Sequence, residues 1–241
     1  MSYKKNFLDK VIFQVNYDRV DLLTTSINDQ IKLTIEKSLN GSIVAANNVN
    51  INFTNVEQPP EIQKSIKWTL NSKDYNGSIA HDMFQVTARK YVNHQLFHDI
   101  IKEIFEQIRT IYNPKFTRTA LRYINKINFP SGDTFDFNNL INERLIQPTI
   151  EYKDEGVCRS MGNIYLSDAN DIKTRIIYGF FNSDFPNIMA RREFILDFDC
   201  SLVFNKSSDR IEDVLIKLRN KANIFFEKSI LPGLRTEMNN N

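Results

Sequence analysis

Apolar residues recur along the chain with two different periods, and these periods outline the predicted elements. Apolar and polar side chains alternate over residues 11–17, as in a strand with one buried face. A period of four over residues 23–39 predicts a helix that stops at Asn40-Gly41. Two or three strands are predicted next, over residues 49–55, 66–72 and 78–88.

Turn-forming residues separate these strands. Gln58-Pro59-Pro60-Glu61 predicts a loop or a sheet edge, because proline cannot donate a hydrogen bond within a central strand. Asp74-Tyr75-Asn76-Gly77 predicts a hairpin turn, since Asn-Gly tolerates the positive φ angles of tight turns. The second and third of these strands are therefore expected to form a hairpin.

The strongest pattern is a long helix followed by a long strand. A helix predicted over residues 92–112 carries one apolar stripe, formed by Leu96, Phe97, Ile100, Ile101, Ile104, Phe105, Ile108 and Ile111. Pro114 cannot continue this helix, and residues 116–129 then alternate with a period of two. The result is a predicted strand with one apolar face and one basic face. The basic face carries Arg118, Arg122 and Lys126.

The rest of the chain repeats this order of elements. A short helix is predicted over residues 137–146, followed by strands over residues 157–166, 172–181 and 194–204. A final helix with Asp209 as its N-cap closes the series, and the last residues, 237–241, are expected to fray.

The order of elements predicts an α+β fold of two βαβββα halves, residues 1–113 and 114–241. They would form a largely antiparallel sheet with the long helices packed on one face. A single α+β domain without an internal repeat is the alternative.

Charge and composition narrow the function classes. The 31 basic and 29 acidic side chains nearly cancel, so no overall field favours nucleic acid or an anionic membrane as partner. No run approaches the about 20 apolar residues of a membrane span. Cys158 and Cys200 lack metal or redox spacing, which indicates a reduced, cytoplasmic compartment. The sequence contains no glycine-rich phosphate motif, which excludes a Rossmann or P-loop enzyme.

Residues 118–127 read Arg-Thr-Ala-Leu-Arg-Tyr-Ile-Asn-Lys-Ile, and these residues carry a family resemblance. The chain resembles a sporadically distributed bacterial family of uncharacterised proteins of about this length, whose core motif is R-x-G-L-R-Y-I-N-R-I. Residues 68–72, Tyr91, Phe97 and residues 196–199 fit the same family. Ala120 stands where the family prefers glycine. The resemblance implies a fold and a length but no catalytic residues, and its patchy distribution is typical of mobile and defence-associated loci.

Charged residues on two strands form the main candidate site. Asp197 and Asp199 are two positions apart and share a strand face with each other and with Glu193. They could pair with the basic face of residues 116–129 as cross-strand ion pairs. Alternatively, Arg118, Arg122 and Lys126 could bind a small anionic ligand such as a phosphate, with Asp197 and Asp199 orienting it.

Other motifs give weaker signals. His94 and His98 have the spacing of two metal ligands on a helix, but the glutamate of the H-E-x-x-H motif is missing. They are interpreted as boundary residues. Tyr165, Tyr178, Phe180 and Phe181 alternate with Lys173 and Arg175, a composition that can bind single-stranded nucleic acid but usually gives an ordinary strand.

The leading hypothesis is therefore a non-enzymatic ligand- or protein-binding module. No catalytic residue, metal or cofactor is assigned. The alternatives are a sensor or enzyme for a phosphate-bearing ligand and a nucleic-acid-binding protein. Residues 180–189 carry many apolar residues and would form either a lip that binds a partner or a flap over the core.

Overall fold

A computed structural model describes residues 3–52, 61–204 and 210–240. Within these residues the chain forms an α+β fold with helices packed on an antiparallel sheet, which confirms the predicted fold class. The described strands are β1 Leu8–Tyr17, β2 Gly41–Asn52, β3 Glu61–Ser72, β4 Tyr75–Ala80, β5 Met83–Ala88, β6 Phe116–Phe129, β7 Ser160–Ser167, β8 Lys173–Phe180 and β9 Arg192–Val203. The described α-helices are α1 Asp29–Ser38, α2 His94–Tyr112, α3 Glu143–Ile150, α4 Ile211–Ser229 and α5 Pro232–Asn239.

The nine described strands have the order β2-β3-β4-β5-β1-β6-β9-β8-β7. Strands β7, β8 and β9 follow one another as an antiparallel meander, in which Ile177 of β8 lies opposite Asn163 on one side and Asp197 on the other. β2 and β7 are the two ends of the sheet. The register places Asp197, Ile177 and Asn163 on one face of this meander.

The chain divides into two compact units. The first unit contains Met1–Val11, Ala120–Leu202 and Ile216–Asn241, and the second contains Ile12–Thr119 and Val203–Leu215. The predicted halves, residues 1–113 and 114–241, stay a prediction.

Aromatic side chains support the core of each unit. In the first unit the rings of Phe180 and Phe194 meet edge to face at 5.2 Å, and Phe137 lies 5.4 Å from Phe194. In the second unit Phe105 of α2 stacks on Phe116 of β6 at 4.3 Å. These contacts bury large apolar area, which is the main stabilising contribution to such a fold.

The long helix and the long strand follow the sequence pattern. β6 has the predicted bounds, Phe116–Phe129. α2 begins directly after its N-cap Asn93, whose side chain accepts a hydrogen bond from the Leu96 amide. It ends at Tyr112, and the C-cap Asn113 has a φ of 44°. The predicted apolar stripe of α2 is buried except at its two ends, where Leu96 is 44% exposed and Ile111 is half-buried.

The helix predicted over residues 23–39 is wrong in its first part. Asp21–Thr24 form a short 3₁₀ helix, and α1 begins only at Asp29. Asn28 is the N-cap of α1, because its side chain accepts hydrogen bonds from the amides of Gln30 and Ile31. The apolar period of four continues across this cap, so it did not reveal the break.

The strands of residues 41–88 also differ from the prediction. Four strands, β2 to β5, replace the predicted two or three, because a turn at His81 and Asp82 divides residues 78–88. The predicted β3–β4 hairpin exists, but its turn is at Lys73-Asp74. Gly77 lies within β4, opposite Leu70. Residues 53–55 of the first predicted strand and the proposed loop at residues 58–60 lie outside the described residues.

Two further helices, α3 and α5, differ from the prediction. α3 begins at Glu143, later than the predicted helix over residues 137–146, and it contains Pro148. Residues 237–239 of the segment expected to fray belong to α5, where Met238 is 2% exposed. Apolar packing of this short helix explains the difference. Asp209, the predicted N-cap of α4, lies outside the described residues.

Candidate functional site

The basic face of β6 meets carboxylates of its own unit. Arg122 donates from Nε to Oδ1 of Asp197 at 2.8 Å and from Nη2 to Oδ2 at 2.5 Å. The Asp197 side chain is only 3% exposed, whereas that of Arg122 is 35% exposed. Such a bidentate ion pair holds both groups in one geometry and stabilises their charged forms.

The pKa of Arg122 reflects this environment. It is raised above its usual value, chiefly because Asp197 accepts a hydrogen bond from the guanidinium group. Burial of the guanidinium opposes this effect, and the negative charges of Asp197 and Asp199 add to it. The contact with Asp197 therefore favours the charged form of the Arg122 guanidinium group.

A neighbouring side chain and the backbone fix the two strands around this pair. Asn125 on β6 is buried and donates a hydrogen bond from Nδ2 to the carbonyl oxygen of Leu196 on β9 at 3.1 Å. Asp199 lies opposite Arg175 in the β8–β9 register. Asp199 thus lies between cations from two strands, one at each side of β9.

Lys126 has a separate partner. Its Nζ lies 3.6 Å from Oδ2 of Asp9, and it also lies 5.6 Å from the centre of the Phe181 ring. Both side chains of this ion pair are about one third exposed, at 36% for Lys126 and 31% for Asp9. This pair is therefore weaker than the Arg122–Asp197 pair, because water screens it.

The remaining residues of the predicted site are placed elsewhere. Arg118 is half-buried on the part of β6 that belongs to the second unit, whereas Arg122 and Lys126 belong to the first. Glu193 shares strand parity with Asp197, but its Oε2 accepts hydrogen bonds from the amide and hydroxyl of Ser183, both at 2.8 Å. Glu193 thus fixes the loop after β8.

The two candidate histidines form a ring contact. His94 and His98 on α2 meet edge to face, with ring centres 5.9 Å apart. Among the residues that the structure describes, no group of three His, Cys, Asp or Glu side chains could hold a metal ion.

A cavity lies in the first unit. It has a volume of about 460 Å³ and is lined by residues 128–132 and 190–193. Arg192 on its wall donates to the carbonyl oxygen of Asp136 at 2.7 Å, and its guanidinium lies 4.7 Å from the Phe129 ring centre. Sequence analysis did not select Arg192, which is the first residue of β9. The alternation of polar and apolar residues along a strand does not show which loop contacts the side chain at the end of that strand.

The open edge strand β7 is a second feature that the sequence analysis missed. It contains no charged residue, and it exposes large apolar side chains on both faces: Met161 is 36% exposed, Ile164 36%, Tyr165 70% and Leu166 39%. Arg175 donates from both Nε and Nη2 to Oδ1 of Asn163 at 3.2 Å, and its guanidinium lies 5.5 Å from the Tyr165 ring centre. The sequence pattern predicted a strand over residues 157–166, but it did not predict that this strand lies at the end of the sheet.

The aromatic residues next to β7 are partly buried. Phe180 is fully buried, so it belongs to the core and cannot stack on a nucleotide base. In the following loop Met189 is 6% exposed, whereas Phe185 is 51% and Ile188 64% exposed. Residues 180–189 therefore cover part of the core and also present apolar surface.

The two cysteines are expected to differ in reactivity. Cys200 is 0% exposed, and burial raises the pKa of its thiol to about 11. Cys158 is half-buried. At pH 8 we expect iodoacetamide to modify Cys158 alone in the folded protein, and both thiols in urea, as measured by mass spectrometry of tryptic peptides. Equal labelling of both thiols in the folded state would contradict this placement of Cys200.

No protein-family model matches the chain, and no curated protein matches it either. The resemblance carried by residues 118–127 therefore stays a prediction. In the part of the chain that the structure describes, none of the helices has both the length and the apolar character needed to cross a membrane.

Proposed function

We propose that this protein is a non-enzymatic binding module whose partner is a protein, and that it binds this partner through β7. One observation carries the proposal: an end strand of the sheet presents an uncharged row of residues with four large, exposed apolar side chains. Backbone groups on the outer side of an end strand can pair with another strand. Exposed apolar side chains add affinity to such pairing.

The charged cluster on β6 supports the same choice. Asp197 binds Arg122, and Asp9 binds Lys126, so the basic face is already matched by carboxylates of the same unit. Asp199 lies beside Arg122 and opposite Arg175, so the charges of this cluster are matched among its own residues. An incoming phosphate would have to compete with these carboxylates, which costs binding energy.

A phosphate-bearing ligand is the second candidate. The observation in its favour is that the side chains of Arg122 and Lys126 remain 35% and 36% exposed. A guanidinium group has donors for more than one anion, so Arg122 could bind a phosphate at its exposed side.

A thermal-shift screen separates the two candidates. A ligand that binds the native state must raise its Tm. If the protein binds no phosphate-bearing ligand, millimolar ATP, GTP or cyclic dinucleotides, each with Mg²⁺, will leave the Tm unchanged, and this is the result we expect. A rise in Tm that disappears in Arg122→Met would favour the phosphate ligand instead. Arg144→Met serves as the matched control, because it removes a guanidinium group at an exposed position on α3 of the same unit.

A selection of displayed random peptides tests the proposed surface directly. We expect peptides with alternating apolar residues to be enriched on the wild-type protein, and we expect Ile164→Lys to abolish their binding. Ile224→Lys is the control, because Ile224 is 50% exposed on α4 and lies on a helix of the same unit. No enrichment, or binding that tolerates Ile164→Lys, would contradict the proposal.

The family resemblance adds a proposal about context. A bacterial, cytoplasmic protein encoded in a mobile or defence-associated locus would fit a patchily distributed binding module. Sequencing of the neighbouring genes tests this, and a neighbourhood made only of housekeeping genes would speak against it.

A further inference from the structure

The cavity of the first unit lies where β6 ends and β9 begins. One part of its wall is formed by residues 128–132, at the end of β6 and in the following loop, and the other part by residues 190–193, at the start of β9. Its volume of about 460 Å³ falls within the range of roughly 300–1,000 Å³ that is usual for small-molecule sites. The cavity therefore has room for a small organic ligand.

Arg192 is fixed in this wall by several contacts. Its Nε donates a hydrogen bond to the carbonyl oxygen of Asp136 at 2.7 Å, and Nη2 donates to the same oxygen. The guanidinium group also lies 4.7 Å from the ring centre of Phe129 and 5.5 Å from that of Phe137. Only 16% of the Arg192 side chain is exposed. Because the group is already ordered, it loses little conformational freedom when it binds a ligand.

One nitrogen of this guanidinium group is still available. Asp136 engages Nε and Nη2, but Nη1 has no hydrogen-bond acceptor among the residues that the structure describes. A Cβ atom built on Gly132 would lie 3.0 Å from Nη1, so this nitrogen lies close to the glycine, and both residues line the cavity. Gly132 has a φ of 103°, a conformation that favours glycine. The two N–H donors of Nη1 are therefore available to an acceptor in the cavity.

The two other charged residues of the wall are bound within the unit. Arg191 forms an ion pair with Asp184, in which Nε lies 2.9 Å from Oδ2. Glu193 accepts two hydrogen bonds from Ser183, and the alternation of side chains along β9 places it on the face opposite to Arg192. Arg192 therefore supplies the charge that a ligand in the cavity can meet, and this charge selects an anion.

Nearby carboxylates limit the charge of this anion. Asp136 places its Oδ2 3.4 Å from Nη2 of Arg192, and Asp133 directly follows Gly132 in the chain. The Asp136 side chain is 48% exposed, so water screens its attraction to the guanidinium group. Both carboxylates repel an incoming anion, and they repel a doubly charged phosphate monoester more than a carboxylate with a single charge.

We propose that this cavity binds a small organic monocarboxylate, whose carboxylate accepts hydrogen bonds from Nη1 of Arg192. The apolar part of the ligand lies against Phe129, Pro130 and Ala190, which belong to the same wall. Apolar walls with one well-placed polar group are typical of small-molecule sites. The inference goes beyond the proposed function, because this site lies at the ends of β6 and β9 and does not involve β7.

Pairs of carboxylates and amides of the same shape test this site. Benzoate, phenylacetate and hexanoate are titrated at millimolar concentration, each beside its uncharged amide, and binding is measured by saturation-transfer NMR. We expect at least one of the acids to bind, with an affinity about tenfold or more above that of its amide. Arg192→Met should reduce this affinity by about tenfold or more, because it removes the donor group. Arg144→Met is the matched control and should bind as the wild type does.

Each other outcome overturns the inference. The site does not exist if no acid binds, if each amide binds as well as its acid, or if Arg192→Met keeps the affinity of the wild type. Displacement of the acid by inorganic phosphate at equal concentration would show that the site prefers a dianion. If Arg192→Met loses its circular dichroism spectrum, Ala190→Leu replaces it, because a larger side chain at this exposed position reduces the cavity and leaves the guanidinium group in place. None of these results affects the peptide selection on β7, so the two proposals fail separately.

Discussion

Phe194→Ala is expected to lower the free energy of unfolding by about 3–5 kcal/mol, the range for truncating a fully buried phenylalanine. Phe194 is 1% exposed on β9, and its ring lies 5.2 Å from Phe180 and 5.4 Å from Phe137. Its removal deletes contacts with two other buried rings and leaves a cavity that rigid strands cannot close. Urea denaturation followed by circular dichroism measures the change.

The matched control for this prediction is Phe185→Ala. Phe185 belongs to the same unit but is 51% exposed, so the same truncation should change the free energy of unfolding by about 1 kcal/mol or less. Leu196→Ala, at a fully buried position on the same strand, should fall between them and above 2 kcal/mol, as in other core truncations. A loss below about 1 kcal/mol for Phe194→Ala would mean that the aromatic cluster is not part of the core.

Asp197→Ala is expected to lower the free energy of unfolding by about 2–3 kcal/mol. Breaking a fully buried ion pair costs about 3–5 kcal/mol, because the remaining charge has no partner. Asp197 is 3% exposed, but Arg122 keeps 35% of its side chain in contact with water, which reduces this cost. The same urea titration measures it, at pH 7.

A double-mutant cycle identifies the source of this cost. Arg122→Met combined with Asp197→Leu removes both charges, so the double variant should lose clearly less stability than the sum of the single variants. Asp9→Ala is the matched control for an exposed pair and should cost less than about 1 kcal/mol, because its partner Lys126 is 36% exposed. Additive single effects would show that Arg122 and Asp197 do not stabilise each other.

The elements most accurately predicted were those with the longest unbroken period. β6 has its predicted bounds, and α2 differs from its prediction by two residues at the start. Each of these elements buries one face, so apolar residues recur at a regular spacing that is visible in the local sequence. Pro114 marks the change from the helical period of α2 to the period of two in β6. Predictions failed where a single side chain ended an element, as Asn28 does before α1, or where tertiary packing held a segment in place, as it does for Met238.

The candidate site was predicted in part. Sequence analysis selected Arg122 and Asp197 and offered ion pairing and anion binding as alternatives. Their hydrogen bonds join residues 75 positions apart, so no local pattern could choose between these alternatives. Glu193 shares its parity with Asp197 but binds Ser183, because the loop after β8 passes beside it. The alternation of residues along β9 therefore showed on which face of the strand Glu193 lies, but not which residue it binds.

By itself the sequence determined the α+β class, the long helix and strand at residues 94–129, and the uncharged composition of residues 160–167, because hydrophobic period and composition are local properties. Only the tertiary structure decided that β9 lies between β6 and β8, which brings Asp197 to Arg122, and that β7 ends the sheet. Strand order depends on contacts between distant residues. In the middle of the sheet the same uncharged strand would be a buried element, and the proposal that it binds a partner depends on its place at the end of the described sheet.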